Sequence, residues 1–342
     1  MGGNLLTPIW GLPAKRLSRA QYEQLGALLV EKLEQFAPGR RFRVYRTFAD
    51  KESFGDIDIL CERVSGDNLD WLGFLRGLSG VAPHVNGNTI SIPMEGFQCD
   101  FNFVGSGSYE CAYCYMTAET GNFMGVIAQR MGLTYGHRGL YLKIPLQSLA
   151  PDLPANEYGE VFVSATPADI FDILGFDYER FERGFATFED MARWVAASRY
   201  FQPGLFSFEN LNSVNRTRNR KRPVYAQFVE WCVSQSPSNT PLPAKESVRE
   251  KLIAERSRVA DAVNVMSRRI LKNAERRAKF NGHLVSEWLG VKGEALGAFI
   301  VDYKRSKGGF DTFLDSCCAN EIRSDVEMFA ASRIPLDASR KS

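Results

Sequence analysis

Lys51-Glu52-Ser53-Phe54-Gly55-Asp56-Ile57-Asp58-Ile59-Leu60 is the stretch on which the reading of this chain turns. As a strand, its alternation sends Asp56 and Asp58 to one face and Ile57 and Ile59 to the other, toward a core. Two carboxylates side by side on a strand face disfavour joint ionisation unless a cation stands between them. An isolated Asp-x-Asp also marks solvated strands and capped turns, so its surroundings decide. They include a second apolar strand, Phe97-Gln98-Cys99-Asp100-Phe101-Asn102-Phe103-Val104. There Phe97, Cys99, Phe101 and Phe103 share one face and leave Asp100 on the other with Gln98 and Asn102. Laid beside the first strand, this one brings three carboxylates together. Hard oxygen ligands with open positions suit Mg²⁺ or Mn²⁺, which also bridge phosphate oxygens. Asp56, Asp58 and Asp100 are therefore the expected metal ligands and catalytic acids.

The whole chain sets bounds. Its 342 residues suffice for two packed domains. A net charge of +2 excludes a uniformly basic surface, so contact with nucleic acid must come from local patches. No apolar run is long enough to cross a bilayer. Residues 1–13 lack a charged region ahead of a long apolar core, so no secretion signal is expected. Seven cysteines include Cys111-x-x-Cys114 and the adjacent Cys317-Cys318. A structural zinc site usually draws on two such pairs, and only three histidines are available elsewhere. Cys111 and Cys114 are read as two thiols near a hairpin rather than as metal ligands. An odd number of reduced cysteines points to the cytoplasm.

Around the acidic strands the elements follow from local signals. Ser18 is a helix N-cap, and Tyr22, Leu25, Leu29, Leu33 and Phe36 recur at helical spacing until Pro38-Gly39. Residues 41–45 read as a strand. After Gly66-Asp67, residues 69–78 read as a short helix with Trp71, Leu72 and Leu75 on its apolar face. Asn86-Gly87 signals a hairpin, and Met94-Glu95-Gly96 turns the chain into the Asp100 strand. Gly105-Ser106-Gly107-Ser108 reads as a loop, residues 122–131 as a helix, 133–142 as a hairpin and 150–158 as a loop. Thr166-Pro167 begins another helix, with Thr166 as cap.

The rest is helical. Residues 188–200 form an amphipathic helix. Arg216, Arg218, Arg220, Lys221 and Arg222 precede Tyr225, Phe228 and Trp231, a pattern that fits phosphate contacts with base stacking or a solvated loop over core aromatics. Residues 234–243 read as a linker, followed by one long helix over 244–280. Leu252, Val259, Val263, Met266, Ile270 and Ala274 lie on one side of it. Arg256, Arg258, Arg268, Arg269, Lys272, Arg276 and Arg277 lie on the other, and its more basic second half favours a polyanion.

Glu52-Ser53 followed by Gly55-Asp56-Ile57-Asp58, with Asp100 on a later apolar strand, resembles the palm of DNA polymerase β-like (family X) nucleotidyltransferases. Tyr115-Met116-Thr117-Ala118 resembles the Tyr-Phe-Thr-Gly turn that in this family sits by the sugar of the incoming nucleotide. The segment Asp169-Ile170-Phe171-Asp172-Ile173-Leu174-Gly175 resembles the family's closing segment, so the likeness covers roughly residues 16 to 180. It implies a palm of mixed sheet with helices on one face, and with the helical remainder read above the expected fold is α+β, the palm followed by a mostly helical C-terminal domain. The expected divisions are a tail 1–17, a palm 18–105, a small α/β subdomain 106–180 and, beyond the resemblance, a helical, nucleic-acid-binding domain 181–342. Leu289-Gly290-Val291-Lys292-Gly293-Glu294-Ala295-Leu296-Gly297 is weakly similar to a glycine-rich junction in the helical tails of tRNA-type members; a tight helix crossing explains it equally.

The family's Gly-Ser pair, which holds the triphosphate about eleven residues before the first Asp, is absent. Tyr45-Arg46-Thr47-Phe48 stands there, with Arg46 as a bidentate phosphate clamp and Thr47 supplying a hydroxyl. The residues expected to hold a nucleotide are Arg46, Thr47, Lys51, Ser53, Gly55, Tyr115 and Thr117. Arg16 or Arg19 is the counterpart of an arginine that reaches a terminal phosphate, or else a solvated helix start. The implied activity is two-metal transfer of a nucleoside monophosphate from an NTP or dNTP to an acceptor hydroxyl, at a DNA or RNA end. The alternatives are a protein or small-molecule acceptor, or a non-catalytic nucleic-acid-binding module.

Overall fold

The computed structural model describes residues 5–66, 68–151, 153–154 and 157–333. Asp67 of the Gly66-Asp67 turn, three positions of the 150–158 loop and both extreme termini, including the start of the 1–17 tail, lie outside the described residues. Two compact units divide the chain, Met1–Lys143 with Glu160–Val259, and Ile144–Gly159 with Ala260–Ser342.

In chain order the elements up to the first acids are α1 (Leu6–Trp10), β1 (Leu17–Ser18), α2 (Arg19–Phe36), β2 (Phe42–Val44), β3 (Ser53–Phe54) and β4 (Asp56–Arg63). Ser18 caps α2 through a capping box with Gln21, which satisfies the free amides of the first turn. Then come α3 (Trp71–Ser79), β5 (His84–Asn86), β6 (Thr89–Met94) and β7 (Phe97–Gly105). Five strands form one mixed sheet in the order β2-β4-β7-β6-β5. Only β4 and β7 run parallel within it; β5, β6 and β7 are successive antiparallel neighbours. Glu95 and Gly96, both with positive φ (50° and 81°), make the tight reversal between β6 and β7.

The sheet buries Ile57, Ile59 and Cys61 of β4 and Phe97, Cys99, Phe101 and Phe103 of β7 against Leu29 and Leu33 of α2 and Trp71 and Leu75 of α3. Burying each such side chain stabilises the fold by about 1.5–3 kcal/mol relative to exposure. The α3 helix starts at Trp71, because the Asp70 carboxylate caps it on the Gly73 amide. Leu72 is 47% exposed; Phe74 and Leu78 face the core in its stead.

Next come α4 (Tyr109–Met116), α5 (Thr120–Arg130), β8 (Leu133–Gly136), β9 (Gly139–Pro145) and β10 (Tyr158–Ser164). Residues 105–108 are not a free loop: one 3-10 turn over Ser106–Ser108 leads directly into α4. No side chain caps that helix; its signal is tertiary, since Tyr109, Ala112 and Tyr113 bury against Tyr45 and Leu60 on the sheet's second face. Helices therefore cover both faces, α2 and α3 on one and α4 on part of the other. The β8–β9 hairpin continues into a three-stranded sheet of order β10-β9-β8.

The helical remainder begins with α6 (Pro167–Leu174), α7 (Tyr178–Glu182), α8 (Phe188–Ala196), α9 (Ser213–Asn219), α10 (Pro223–Gln235) and α11 (Lys245–Glu255). Thr166 stands at the N-cap of α6 with Pro167 in the first turn, but its hydroxyl makes no cap bond. The α8 helix ends at Ala196, short of residue 200. Phe123 of α5 packs on Tyr225 and Phe228 of α10 with centroids 5.6 and 4.6 Å apart. That packing draws 181–259 into the first unit, so the compact division differs from a separate 181–342 domain.

Residues 244–280 are two helices, α11 and then α12 (Ser257–Lys279). Arg256 leaves helical geometry (φ −132°, ψ 94°) and donates to both Asp169 oxygens at 2.9 and 2.6 Å. A bidentate ion pair with a distant acid thus interrupts an otherwise continuous helical pattern. The second unit gathers the end of α12 with α13 (Gly282–Leu289), α14 (Gly293–Ser306), α15 (Phe310–Ser316) and α16 (Ala319–Ala331) around Val285, Tyr303, Ile322 and Val326. Gly290 and Gly293, with φ of 68° and 64°, form the α13–α14 junction. Among the described residues no helix is long and apolar enough to cross a membrane.

Gly139, at φ 135°, closes the β8–β9 turn where an added Cβ would stand 2.5 Å from the Ser164 carbonyl oxygen. Gly139→Ala is expected to cost about 2–3 kcal/mol of stability, from backbone strain and the clash together. Urea denaturation checks this; a loss below about 0.5 kcal/mol would contradict the packing described.

Candidate metal centre and nucleotide site

In the parallel β4–β7 pair Asp58 lies directly opposite Asp100, and Asp56 opposite Gln98. All three carboxylates sit on the face away from the α2–α3 core and are half-buried. Two of them, Asp58 and Asp100, are oriented by side-chain amides. Asn102 Nδ2 donates to Asp58 Oδ1 at 3.0 Å, while Thr89 Oγ1 donates to Asn102 Oδ1 at 2.7 Å and fixes that amide's direction. Gln98 Nε2 donates to both Asp100 oxygens at 3.1 and 2.8 Å, and Gln98 Oε1 accepts from the Leu5 amide at 3.0 Å.

Burial and mutual repulsion act on these acids in the same direction. Burial, then the charges of Asp100 and Asp56, push Asp58 up to about 7. Asp56 is raised by burial and by Asp100, with Lys51 and Arg16 offsetting part of the effect. Asp100 is raised by burial, against hydrogen bonds from Ser91 and Gln98. A divalent cation relieves such a cluster directly. As the side chains stand, no group of three His, Cys, Asp or Glu is gathered to hold a metal among the described residues. Gln98 engages both oxygens of Asp100. In residue type, face and register the donor set fits Mg²⁺ or Mn²⁺; binding requires Asp100 to exchange Gln98 for the ion.

The residues expected at the nucleotide separate into two groups. Lys51 and Arg16 stand near the acids: Lys51 lies 4.8 Å over the Phe54 ring, and Arg16 donates to the Ser53 hydroxyl at 2.7 Å and its carbonyl at 3.0 Å. Gly55, between Phe54 and Asp56, is buried, and Ser53 is exposed. Arg19 instead clamps the preceding loop through the carbonyls of Phe48 and Lys51, at 2.7 and 2.8 Å. Arg46 is turned away from a phosphate role. Its guanidinium donates to the Glu182 carbonyl at 2.5 Å and lies over the rings of Tyr113 and Phe181. Thr47 is half-buried beside it. Thr117 is 1% exposed, and its hydroxyl donates to the Tyr113 carbonyl at 2.8 Å, which makes it a helix-end residue rather than a sugar contact. Tyr115 is half-buried, edge-on to Tyr135.

The basic stretches are only partly open. Arg216 donates to the carbonyls of Glu209 and Leu211, and Arg222 pairs with Glu119 at 3.0 Å. Arg218, Arg220 and Lys221 are exposed. Tyr225 and Phe228 are 0% exposed, so neither ring offers a face to a base. On α12, Lys272 and Arg276 pair with Asp315, and Arg276 also with Asp311. Cys111 and Cys114 are free, buried thiols of α4; Cys111 donates to the Gly136 carbonyl in the β8–β9 turn, and burial pushes it up to about 12. Both therefore remain thiols at neutral pH.

Sequence reading did not single out Thr89, and it named Gln98 and Asn102 only as neighbours of Asp100. Their signal is alternation, because both amides share the Asp100 face of β7. No family model matches the chain, and no curated protein is significantly similar to it.

Because Asp58 is raised from about 4 in the unfolded chain to about 7 in the fold, the folded state binds its proton more tightly. The contribution of Asp58 to stability without divalent ions falls as pH rises from 4 to 7, by about 2 kcal/mol after allowance for coupling among the acids, against a smaller opposing effect of His137, which burial lowers. Asp58→Asn keeps an acceptor for Asn102 and removes the charge. It is expected to flatten that decline and to be the more stable protein at pH 8, as read by denaturation at a series of pH values. An unchanged pH slope would contradict the raised acid.

Proposed function

We propose that the chain is a metal-dependent nucleotidyltransferase of the DNA polymerase β-like type. The observation that carries this reading is the Asp58–Asp100 register across a parallel strand pair, with Asp56 on the same face and all three acids held above their ordinary range. Asp56, Asp58 and Asp100 would hold Mg²⁺ or Mn²⁺. The bound ion would supply charge neutralisation for a triphosphate and ease ionisation of the acceptor hydroxyl. The chain's own part is positioning. Lys51 and Arg16 offset phosphate charge at the N-terminal end of β4, Asn102 and Gln98 orient the carboxylates, and α4 shields part of the face from water. The acceptor oxygen bonds to the α-phosphorus as the bond to the β-phosphate oxygen breaks. Pyrophosphate leaves with that electron pair, and the hydroxyl proton passes to solvent.

A DNA or RNA end is the acceptor this reading favours. A protein or small-molecule acceptor is the second reading, supported by the burial of Tyr225 and Phe228 and by the ion pairs of Arg222 and Arg276. Incubation of the protein with labelled nucleoside triphosphates, Mn²⁺ and DNA or RNA oligonucleotides is expected to extend a strand. Asp58→Ala and Asp100→Ala should lower that rate about a hundredfold or more. Mn²⁺ is expected to raise the Tm of the parent and leave that of Asp58→Asn unmoved. No transfer to any acceptor together with no Mn²⁺-dependent Tm shift would refute the proposal.

A further inference from the structure

The segment ahead of α2 is fastened at four points. The Leu5 amide donates to Gln98 Oε1 at 3.0 Å, Trp10 Nε1 to the Ala82 carbonyl at 3.0 Å, the Lys15 amide to the Gly96 carbonyl at 2.8 Å, and Arg16 Nε to the Ser53 hydroxyl at 2.7 Å. Leu6 is 0% exposed, and an added Cβ on Gly96 would stand 3.2 Å from the Pro13 carbonyl oxygen, so the segment is packed closely along its length. A helix as short as α1 has little stability of its own; these contacts hold it. Two of them lead to the acids. Arg16 offsets part of the charge around Asp56, and Leu5 reaches Asp100 through Gln98. One nitrogen, Gln98 Nε2, stands 3.1 and 2.8 Å from the two oxygens of Asp100. A donor within bonding distance of both oxygens fills the mouth of the carboxylate, the place from which a cation is held by both. Gln98 is 5% exposed, so its amide oxygen depends on the Leu5 donor to avoid a buried, unpaired state.

We infer that residues 5–16 form a strap whose docking competes with the divalent ion for Asp100. With the strap docked, the Leu5 amide fixes Gln98, and Gln98 closes the carboxylate. When the strap lifts at Leu5, Gln98 loses its fixed partner, turns away and leaves both oxygens to the ion. The ion and the Leu5 contact oppose each other, and by linkage each weakens the other by the same factor. The far end of the strap keeps its place, because Leu17 and Ser18 pair with Phe54 and Ser53 in the β1–β3 ladder. Gly11, at φ 65°, lies between the two halves. Asp58 has no comparable control: Asn102 donates to one of its oxygens and is held within the sheet by Thr89. The orientation that Gln98 gives Asp100 is therefore that of the ion-free site, and the strap acts on the third acid alone. This inference rests on the metal-dependent reading of the three acids and adds the element that sets their affinity for the ion.

The test is Mn²⁺ binding by the full chain, read from the electron paramagnetic resonance signal of the free ion. Leu5→Pro removes the amide hydrogen at a φ of −90°, near the range proline allows, and keeps the carbonyl that accepts from the Ile9 amide. Gln98→Met removes the closing amide at nearly the same volume. Each is expected to bind Mn²⁺ about five- to tenfold more tightly than the parent. Ile9→Ser, at a position 45% exposed on α1, should bind as the parent does. In the parent, saturation with Mn²⁺ should speed hydrogen exchange about five- to tenfold at the Ile9, Gly11 and Leu12 amides, which donate to carbonyls within the strap. A strap that only stabilised the fold would show neither effect. Parent-like or weaker Mn²⁺ binding by Leu5→Pro or Gln98→Met, or exchange that Mn²⁺ does not alter, overturns the strap; transfer by a parent that binds Mn²⁺ then leaves the transferase reading standing. No Mn²⁺ binding by the parent or any variant overturns both. Tighter binding in the two variants without transfer from any nucleotide upholds the strap and refutes the transferase reading alone.

Discussion

Three carboxylates fixed on one face of a parallel strand pair cannot all ionise freely, and the surrounding structure is arranged around that electrostatic constraint. The strands do not yield, because Ile57, Ile59, Cys99 and Phe101 on their opposite face are locked into the α2–α3 core. The repulsion is met instead by neutral amides from Asn102 and Gln98, by the cations Lys51 and Arg16, and by a raised proton affinity at each acid. A hydrogen bond from an amide relieves a carboxylate by far less than a full positive charge at the same distance. The metal-free site is thus a compromise, and a divalent ion would exchange it for a lower-energy arrangement.

Legibility followed the range of the interaction. Period-two alternation is local, so the faces of β4 and β7 could be read from the residues, as could the capping box at Ser18 and the turn at Glu95-Gly96. The parallel pairing of β4 with β7 has no local signal; it follows from β5, β6 and β7 winding back through two antiparallel turns. The α4 helix escaped notice because Tyr109, Ala112 and Tyr113 carry a tertiary instruction, burial against Tyr45 and Leu60, and no cap. The break at Arg256 is likewise invisible in a sequence whose periodicity continues through it, since its cause is Asp169 eighty-seven residues earlier.

The same distinction governs the cations. A run of arginines in a sequence gives charge without stating what the charge faces. Arg222 and Arg256 each hold an acid of the first unit, and Arg276 two acids of the second. Arg46, whose position in the chain suggested a phosphate clamp, ties residue 182 to the loop before the acidic strand. Aromatic residues that follow a basic run are equally ambiguous until their burial is known, and Tyr225 and Phe228 are core.

What distinguishes the acidic face is the placing of its cations. Lys51 and Arg16 stand at the N-terminal end of β4 and offset part of the rise at Asp56, whereas Arg63, at the far end of the strand, shares the face of Ile57, Ile59 and Cys61 and lies over the Phe103 ring. A cation that only stabilised the fold would sit against the acids, as Arg41 does against Glu62, whose carboxyl it holds down to about 2. Lys51 instead lies 4.8 Å over the Phe54 ring, and Arg16 donates to Ser53. Two like charges kept around Ser53 and Phe54 carry a repulsive cost. An anion bound beside them would remove that cost, as a divalent ion would relieve the acids.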